Sequence, residues 1–247
     1  MSVEHQQKLK RIYPSTTLPQ GAREKENNWR IYMNIKYLGH SAFEIETKGK
    51  KILIDPFLVA VPDYKAENIY DIFVTHAHGD HLGSAIDISK QTGAPITTVF
   101  ELANYCAKHG ARSIDMGLGS WRDYSWGRVI LVPAFHSSST PEGNYGGCPC
   151  GFVFQIEGQT IYHAGDTCLN TEMKMIGEMY EPDVAMLPIG GKYTMDIEHA
   201  VKASEWLGVS EVIPMHYNTF DAISVDITEF ERQIREVGKV PRILPIG

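Results

Sequence analysis

The sequence of 247 residues predicts a layered α/β domain, and two features of the chain support this prediction. From Asn34 onward, short apolar runs rich in β-branched and aromatic residues alternate with amphipathic stretches, as strands and helices do. In layered α/β folds, ligands bind at the carboxyl ends of strands. Six apolar runs are followed directly by a residue suited to such a site: Asp55, His76, His136, Asp166, Gly190 and His216.

Residues 1–33 are predicted to form an extension outside the domain, which we place at residues 34–247. The extension is polar, contains Pro14 and Pro19, and shows no sustained hydrophobic period. Such a segment either lies over the surface of the domain or is mobile. We expect it to be dispensable for the functional site but to affect assembly, so a homo-oligomer is one arrangement that the sequence allows.

The first half of the domain is predicted to contain five strands and two helices. Lys48-Gly49-Lys50 is typical of a hairpin turn between the second and third strands. The strands are expected at residues 35–38, 42–46, 51–54, 69–74 and 95–99. Helices are expected at residues 84–91 and 101–109, and Gly110 should end the second one.

The second half is predicted to contain six strands and two helices. The strands are expected at residues 128–135, 152–157, 160–163, 183–188 and 211–215, with a short one near 242–244. The helices are expected at residues 197–207 and 228–237, with Gly208 after the first. Residues 137–151 form a long loop rich in glycine and hydroxyl side chains, and loops of this length are frequently functional.

The stretch Thr75-His76-Ala77-His78-Gly79-Asp80-His81 joins a predicted strand to a predicted helix. On an extended backbone His76 and His78 lean to the same side, because they are two residues apart. Gly79 permits a turn. Asp80 and His81 are adjacent and point apart, so they suit a second metal position better than the first. Imidazole and carboxylate are the ligands of zinc and similar divalent ions.

The H-x-H-x-D-H pattern of residues 76–81 resembles that of the metallo-β-lactamase superfamily. Longer phrases, including Tyr37-Leu38-Gly39-His40-Ser41, Tyr162-His163-Ala164-Gly165-Asp166-Thr167 and Pro214-Met215-His216-Tyr217-Asn218, are similar to one subgroup. This subgroup consists of metal-dependent hydrolases grouped with ascorbate-6-phosphate lactonase-like proteins. The resemblance extends from about residue 34 and implies an αββα sandwich, with two β-sheets face to face and helices outside.

Composition and placement at strand ends indicate six candidate metal ligands, and the family pattern adds a seventh. Two divalent ions are expected, zinc in the first place, with manganese, nickel or iron as alternatives. The first ion would be bound by His76, His78 and His136, with an open position for water. The second would be bound by Asp80, His81 and His216, and Asp166 would bridge the two because a carboxylate has two oxygens.

The resemblance implies a hydrolase that uses hydroxide activated by a dinuclear metal centre. Divalent ions lower the pKa of bound water from about 15.7 toward neutrality and polarise the substrate oxygen. Besides Asp80, the candidate catalytic residues are His40, Asp55 and His163, which would orient the metal ligands. The expected substrate is a small polar molecule, namely a lactone, ester, amide or phosphodiester.

Three rival functions can be weighed from the residues. A metal-binding sensor or scaffold without turnover remains an alternative, although a complete ligand set argues against loss of activity. The di-iron redox members usually carry glutamate at the position of His78 and need an electron-carrying domain. The nucleic-acid-processing members carry a large inserted domain, for which this chain lacks length.

Overall composition restricts partners and location. The net charge of −7 argues against a general nucleic-acid binder. No run approaches the 18 to 20 or so apolar residues of a membrane span, and no signal peptide is visible after Met1. The four cysteines indicate no disulfide framework for a chain of this size, so a reducing, cytoplasmic location is expected.

Overall fold

The computed structural model describes residues 33–247, which form two mixed β-sheets and six α-helices. The predicted extension lies outside the described residues, apart from Met33, where the first strand begins. The first sheet has its six strands in chain order: β1 (Met33–Gly39), β2 (Ala42–Thr47), β3 (Lys50–Ile54), β4 (Ile69–Phe73), β5 (Ile96–Val99) and β6 (Ser113–Met116). Strands β1 to β3 are antiparallel, whereas β3 to β6 are parallel.

The second sheet contains seven strands and has the same mixed character. They are β7 (Trp121–Tyr124), β8 (Gly127–Pro133), β9 (Cys150–Ile156), β10 (Gln159–His163), β11 (Val184–Pro188), β12 (Glu211–Met215) and β13 (Val240–Pro241). Strands β7 to β10 are antiparallel and β10 to β13 are parallel. The carboxyl ends of β3 and β4 in one sheet, and of β10 to β12 in the other, carry the candidate ligands or their neighbours.

Aromatic side chains join the two sheets face to face. The ring of Phe73 on β4 lies 5.3 Å from that of Phe152 and 5.1 Å from that of Phe154, both on β9, measured between centroids. The buried indole of Trp126 donates a hydrogen bond of 2.7 Å to Asp71 Oδ2 on the first sheet. The predicted sandwich of two sheets is therefore confirmed.

The helices pack on the sheets or on one another. They are α1 (Gly79–Leu82), α2 (Ala85–Thr92), α3 (Phe100–Lys108), α4 (Glu172–Tyr180), α5 (Ile197–Leu207) and α6 (Ile227–Glu236). Helices α2 and α3 pack on the first sheet and α5 packs on the second, while α4 and α6 contact α5. No helix within residues 33–247 is long and apolar enough to cross a membrane.

Most predicted elements are confirmed, and helix α5 has the predicted bounds. Its first turn is capped by Asp196, whose side chain accepts from His199 N at 2.8 Å, and Gly208 ends it with a φ of 70°. The helix predicted at 84–91 is preceded by the separate turn α1. Gly83 divides the two with a φ of 42°, and a Cβ there would lie 2.4 Å from Pro56 O.

Three elements were not predicted, and some boundaries differ. Strands β6 and β7 are short and partly exposed, so they lack a clear apolar period, and helix α4 was also missed. Strand β8 ends at Pro133, so His136 lies three residues beyond the strand instead of directly after it. The long loop ends before Cys150, where β9 begins, and β13 ends at Pro241, before the predicted residues 242–244.

Candidate metal centre

Asp55 and Thr75 form a buried pair beneath the H-x-H-x-D-H stretch. Asp55 follows β3, and its Oδ1 accepts a hydrogen bond from Thr75 N at 2.8 Å. The hydroxyl of Thr75 donates to Asp55 Oδ2 at 2.7 Å and lies 3.0 Å from His76 Nδ1. Since the hydroxyl proton is directed to Asp55, the Thr75 oxygen accepts a hydrogen bond from the N–H at His76 Nδ1. The Nε2 atom of His76 is thereby left with a free lone pair.

Three histidines meet at the exposed side of this pair. His76 Nε2 lies 3.0 Å from His78 Nδ1, and the ring of His136 is 5.2 Å from each of the other two rings. One ring nitrogen from each histidine lies within 4.8 Å of the other two, so a single ion can contact all three. The structure therefore brings together the three residues predicted for the first ion.

A second group lies beside the first. Ligand atoms of His40, Asp80, His81 and His216 all lie within 4.8 Å of one another, so the three residues predicted for the second ion are together. His81 Nδ1 lies 2.7 Å from Asp55 Oδ2. Because this carboxylate can only accept, Nδ1 carries the proton, and Nε2 is directed to the centre of the group.

Asp166 contacts both groups through its buried carboxylate. Its Oδ2 lies 3.6 Å from His136 Nε2 and 3.0 Å from His216 Nε2, while Oδ1 lies 3.2 Å from His81 Nε2. This central position is the one expected of a bridging carboxylate. A turn with Gly165 at a φ of 61° presents Asp166, and a Cβ at that glycine would lie 2.6 Å from Cys150 O.

The first group and Asp166 have protonation states that favour cation binding. Burial lowers the pKa of His76, well below its usual value, and also those of His78 and His136, so these imidazoles are neutral. Burial alone would raise the pKa of Asp166, but the charge of His81 outweighs it and holds that pKa well below the usual range. Burial likewise opposes the charged form of His81, yet Asp166 and Asp55 raise the His81 pKa well above its usual value. An ion bound at His81 Nε2 must therefore displace a proton from that ring.

Two unpartnered atoms show that the centre fits a divalent ion. His81 Nε2 and Asp166 Oδ1 are fully buried and 3.2 Å apart, but they are not aligned as a hydrogen bond and have no other hydrogen-bond partner. An unsatisfied buried polar group costs about 1–3 kcal/mol. An ion contacting both atoms would remove this cost, and imidazole with carboxylate is a suitable donor set for it.

The remaining predicted site residues differ in their distance from the ligands. His40 Nε2 lies 3.1 Å from Asp80 Oδ2, and its Nδ1 lies 3.1 Å from Thr219 Oγ1, so His40 touches a candidate ligand directly. His163 Nε2 donates to Ser41 O at 3.1 Å, and Nδ1 accepts from Gly165 N at 3.2 Å. Both ring nitrogens of His163 are thus used by backbone groups. His163 therefore stabilises the turn before Asp166, and because its ring is buried it has no access to substrate.

Sequence reasoning missed two hydroxyl residues of the centre. Thr75 connects Asp55 to His76, and Thr219 contacts His40. Thr75 directly precedes the H-x-H-x-D-H pattern and follows an apolar run, which is a signal that could have identified it. Thr219 lies three residues after His216, and only the folded chain reveals its contact.

Comparison with known proteins places this site in a family. A family model described as a beta-lactamase superfamily domain matches residues 34–216. A UPF0173 metal-dependent hydrolase of Staphylothermus marinus is 49% identical over 211 residues, which cover 81% of this chain and 90% of the relative. Another from Anoxybacillus flavithermus is 44% identical over 219 residues, covering 85% and 97%.

A solved structure agrees with these relatives. Igni18, described as a novel metallo hydrolase from Ignicoccus hospitalis, superposes with a TM-score of 0.79 at 37% identity, covering 87% of this chain and 96% of Igni18. The fold and the ligand groups define a member of the metallo-β-lactamase superfamily, and the chain belongs to it. Within the superfamily it belongs with the UPF0173 metal-dependent hydrolases, so the predicted class of enzyme is confirmed. The narrower ascorbate-6-phosphate lactonase-like subgroup stays a prediction.

Proposed function

We propose that the chain is a hydrolase with two divalent ions, zinc in the first place, acting on a small polar substrate. The observation that carries this proposal is the position of Asp166, whose carboxylate contacts His136 of the first group and both His81 and His216 of the second. The first ion would be held by His76, His78 and His136, and the second by Asp80, His81 and His216. Bound divalent ions supply activation of water near neutral pH and polarisation of the substrate oxygen.

The chain's own residues hold the ligands in the required protonation state. Thr75 keeps a proton of His76 on Nδ1, and Asp55 keeps one of His81 on Nδ1, so Nε2 is the atom that each histidine would offer to an ion. His40 contacts Asp80 Oδ2 and restrains a candidate ligand whose side chain is partly exposed. His163 anchors the turn that presents Asp166.

Substrate access is proposed at the side of Asp80 and His136. Their side chains are 32% and 14% exposed, whereas those of His81, Asp166 and His216 are at most 3% exposed. The adjacent loop, residues 137–149, contains no lysine or arginine. The ions, and no basic side chain of this loop, would therefore bind the carbonyl or phosphoryl oxygen. A lactone, ester, amide or phosphodiester meets this requirement.

The experiment combines metal analysis with a substrate screen on the intact chain. We expect two equivalents of divalent metal, and turnover of at least one member of a panel of lactones, carboxylic esters, amides and phosphodiesters. Chelation should abolish turnover, and added zinc or manganese should restore it. Absence of bound metal in metal-replete protein would refute the proposal. Stoichiometric metal without turnover would support the sensor or scaffold alternative.

We also propose that residues 1–33 are an extension to the hydrolase domain at 34–247, and that the protein is cytoplasmic. All four cysteines are free thiols, as expected in a reducing compartment. Deletion of residues 1–28 should leave the metal stoichiometry unchanged and affect only the oligomeric state measured by light scattering. Loss of metal in the truncated chain would contradict this domain boundary.

A further inference from the structure

Two phenylalanines lie at the exposed side of the candidate metal centre. Phe57 follows the turn after β3, and Phe220 lies four residues beyond His216. The Phe220 side chain is 45% exposed, and Phe57 is partly exposed. Neither residue is needed to bind an ion, so their position beside the ligands requires another explanation.

His40 connects both rings to the metal ligands. The centroid of the His40 ring lies 5.6 Å from that of Phe57 and 5.5 Å from that of Phe220, and both contacts are edge-to-face. On its other side, His40 Nε2 lies 3.1 Å from Asp80 Oδ2. The two aromatic rings are therefore one side chain away from Asp80, a candidate ligand that is partly exposed.

Phe57 also lines a cavity that reaches the ligand-bearing stretch at Gly79, between His78 and Asp80. The cavity has a volume of about 800 Å³, and Phe57 but not Phe220 contributes to its lining. Apolar side chains such as Leu58 and Ile88 alternate there with polar ones such as Lys65 and Asp87. The cavity provides space for a substituent attached to a group held at the ions. The centroids of Phe57 and Phe220 are 6.3 Å apart, too close for a third ring to enter between them. A ligand group must therefore pack across their outer faces.

We propose that Phe57 and Phe220 bind an aryl or branched alkyl group of the substrate, next to the bond that is hydrolysed. This inference rests on the proposed function, because the ions must hold the other end of the molecule. Burial of apolar surface contributes about 25 cal/mol per Å², and offset or edge-to-face ring contacts add to it. The substrate class is thus a compact molecule with a carbonyl or phosphoryl group at one end and an apolar group a few bonds away.

The test compares two anions that differ only in the apolar group. Phenylphosphonate and methylphosphonate are titrated into the metal-loaded full chain by calorimetry. We expect phenylphosphonate to bind at least about tenfold more tightly, which is the scale of discrimination for small apolar differences. In the double variant Phe57→Ala/Phe220→Ala this ratio should fall to about two or less, while methylphosphonate binding stays unchanged. Phe100→Ala, at an exposed phenylalanine on α3, is the matched control and should keep the full ratio.

The outcomes separate this inference from the proposed function. Equal affinity of the two anions for the wild-type protein, or a ratio that survives in the double variant, would overturn the aromatic site alone. Failure of both anions to bind would refute the anion-binding metal centre together with the aromatic site. Metal content and circular dichroism are measured for every variant. If the alanine variant does not fold, Phe57→Leu/Phe220→Leu replaces it, and an undiminished phenyl preference in that variant would overturn the role of the rings.

Discussion

Gly146 lies in the long loop but packs directly on the ligand-bearing stretch. A Cβ built on Gly146 would lie 2.3 Å from Ala77 Cβ and 2.7 Å from Ser138 Oγ. Ala77 is the residue between His76 and His78, and its N–H donates to Ser138 Oγ at 3.2 Å. The base of the loop therefore supports the two histidines of the first group. Gly146→Ala is the substitution that tests this support most directly.

The size of the effect follows from the contact distance. Carbon atoms in van der Waals contact are about 3.5–4.0 Å apart, so the new methyl group must move Ala77 or the loop by more than about 1 Å. Functional geometry tolerates displacements of about 0.5 Å. We expect Gly146→Ala to weaken metal binding by the histidine group about 10- to 100-fold, as other perturbed ligand supports do. Overpacking should also lower the free energy of unfolding by about 1–3 kcal/mol.

The assay is competition for zinc or cobalt with a chromophoric chelator, together with urea unfolding of the metal-free protein. Gly117→Ala is the control, because a Cβ there meets nothing within 4 Å and its backbone is not left-handed. In the double variant Ala77→Gly/Gly146→Ala the closest carbon contact is absent, so metal affinity should return toward that of the single Ala77→Gly variant. Wild-type affinity in Gly146→Ala, or no recovery in the double variant, would refute the role assigned to this contact.

Three further predictions concern the ligands and their neighbours. His136→Ala should lower both the metal content and the rate, since it removes one of three protein ligands. His199→Ala, on the exposed first turn of α5, should change neither quantity when both variants are compared by metal analysis and by an activity assay. Asp55→Ala should weaken metal binding about 10- to 100-fold in the chelator assay, because it frees the Nδ1 proton of His81 and unpairs Thr75. Burial lowers the pKa of His163 in the folded protein. Below about pH 6.5 His163 therefore binds a proton more readily in the unfolded chain than in the folded one. The contribution of His163 to the free energy of unfolding falls as pH falls through that region. His163→Gln should reduce this loss by up to about 1.4 kcal/mol per pH unit in denaturant titrations of the metal-free protein. An identical pH dependence of the free energy of unfolding in wild type and variant would contradict this role of His163.

The sequence predicted which ligands lie together within one short stretch, but it did not predict contacts between residues that are far apart along the chain. The spacing of His76 and His78 places them together because both belong to one short stretch, and Asp55 was expected near a ligand histidine because it follows a strand. The partner of Asp55 proved to be His81, which lies 26 residues away along the chain. For His163, the sequence showed its place before the Gly165-Asp166 turn. It could not show that the carbonyl of Ser41, 122 residues earlier, would bond its ring.

The two missed strands, β6 and β7, share a physical reason, because each lies at the edge of its sheet. Strand β7 carries Arg122 and Asp123 on an exposed edge of the second sheet, so its sequence lacks the apolar period that identifies a strand. This segment forms a strand because it pairs with β8. The pairing depends on the neighbouring strand and is not visible in the sequence of β7. Prediction was best where burial and periodicity coincide, as in α5 and β12, and weakest at the sheet edges.

Three side chains of the centre belong to residues with left-handed backbone. His40, Asp55 and His216 have φ angles of 55°, 44° and 54°, a region that costs a residue other than glycine about 1–2 kcal/mol. Glycine would adopt the same turns without this strain. A laboratory selection for the thermal resistance of the metal-free protein alone should thus drive His40 and His216 toward glycine or asparagine while retaining the sandwich. Asp55 should be kept, because its loss would leave Thr75 and His81 with unsatisfied buried groups. In a stabilised descendant of this chain, the same substitutions that relieve backbone strain would remove side chains of the metal centre while the fold is kept.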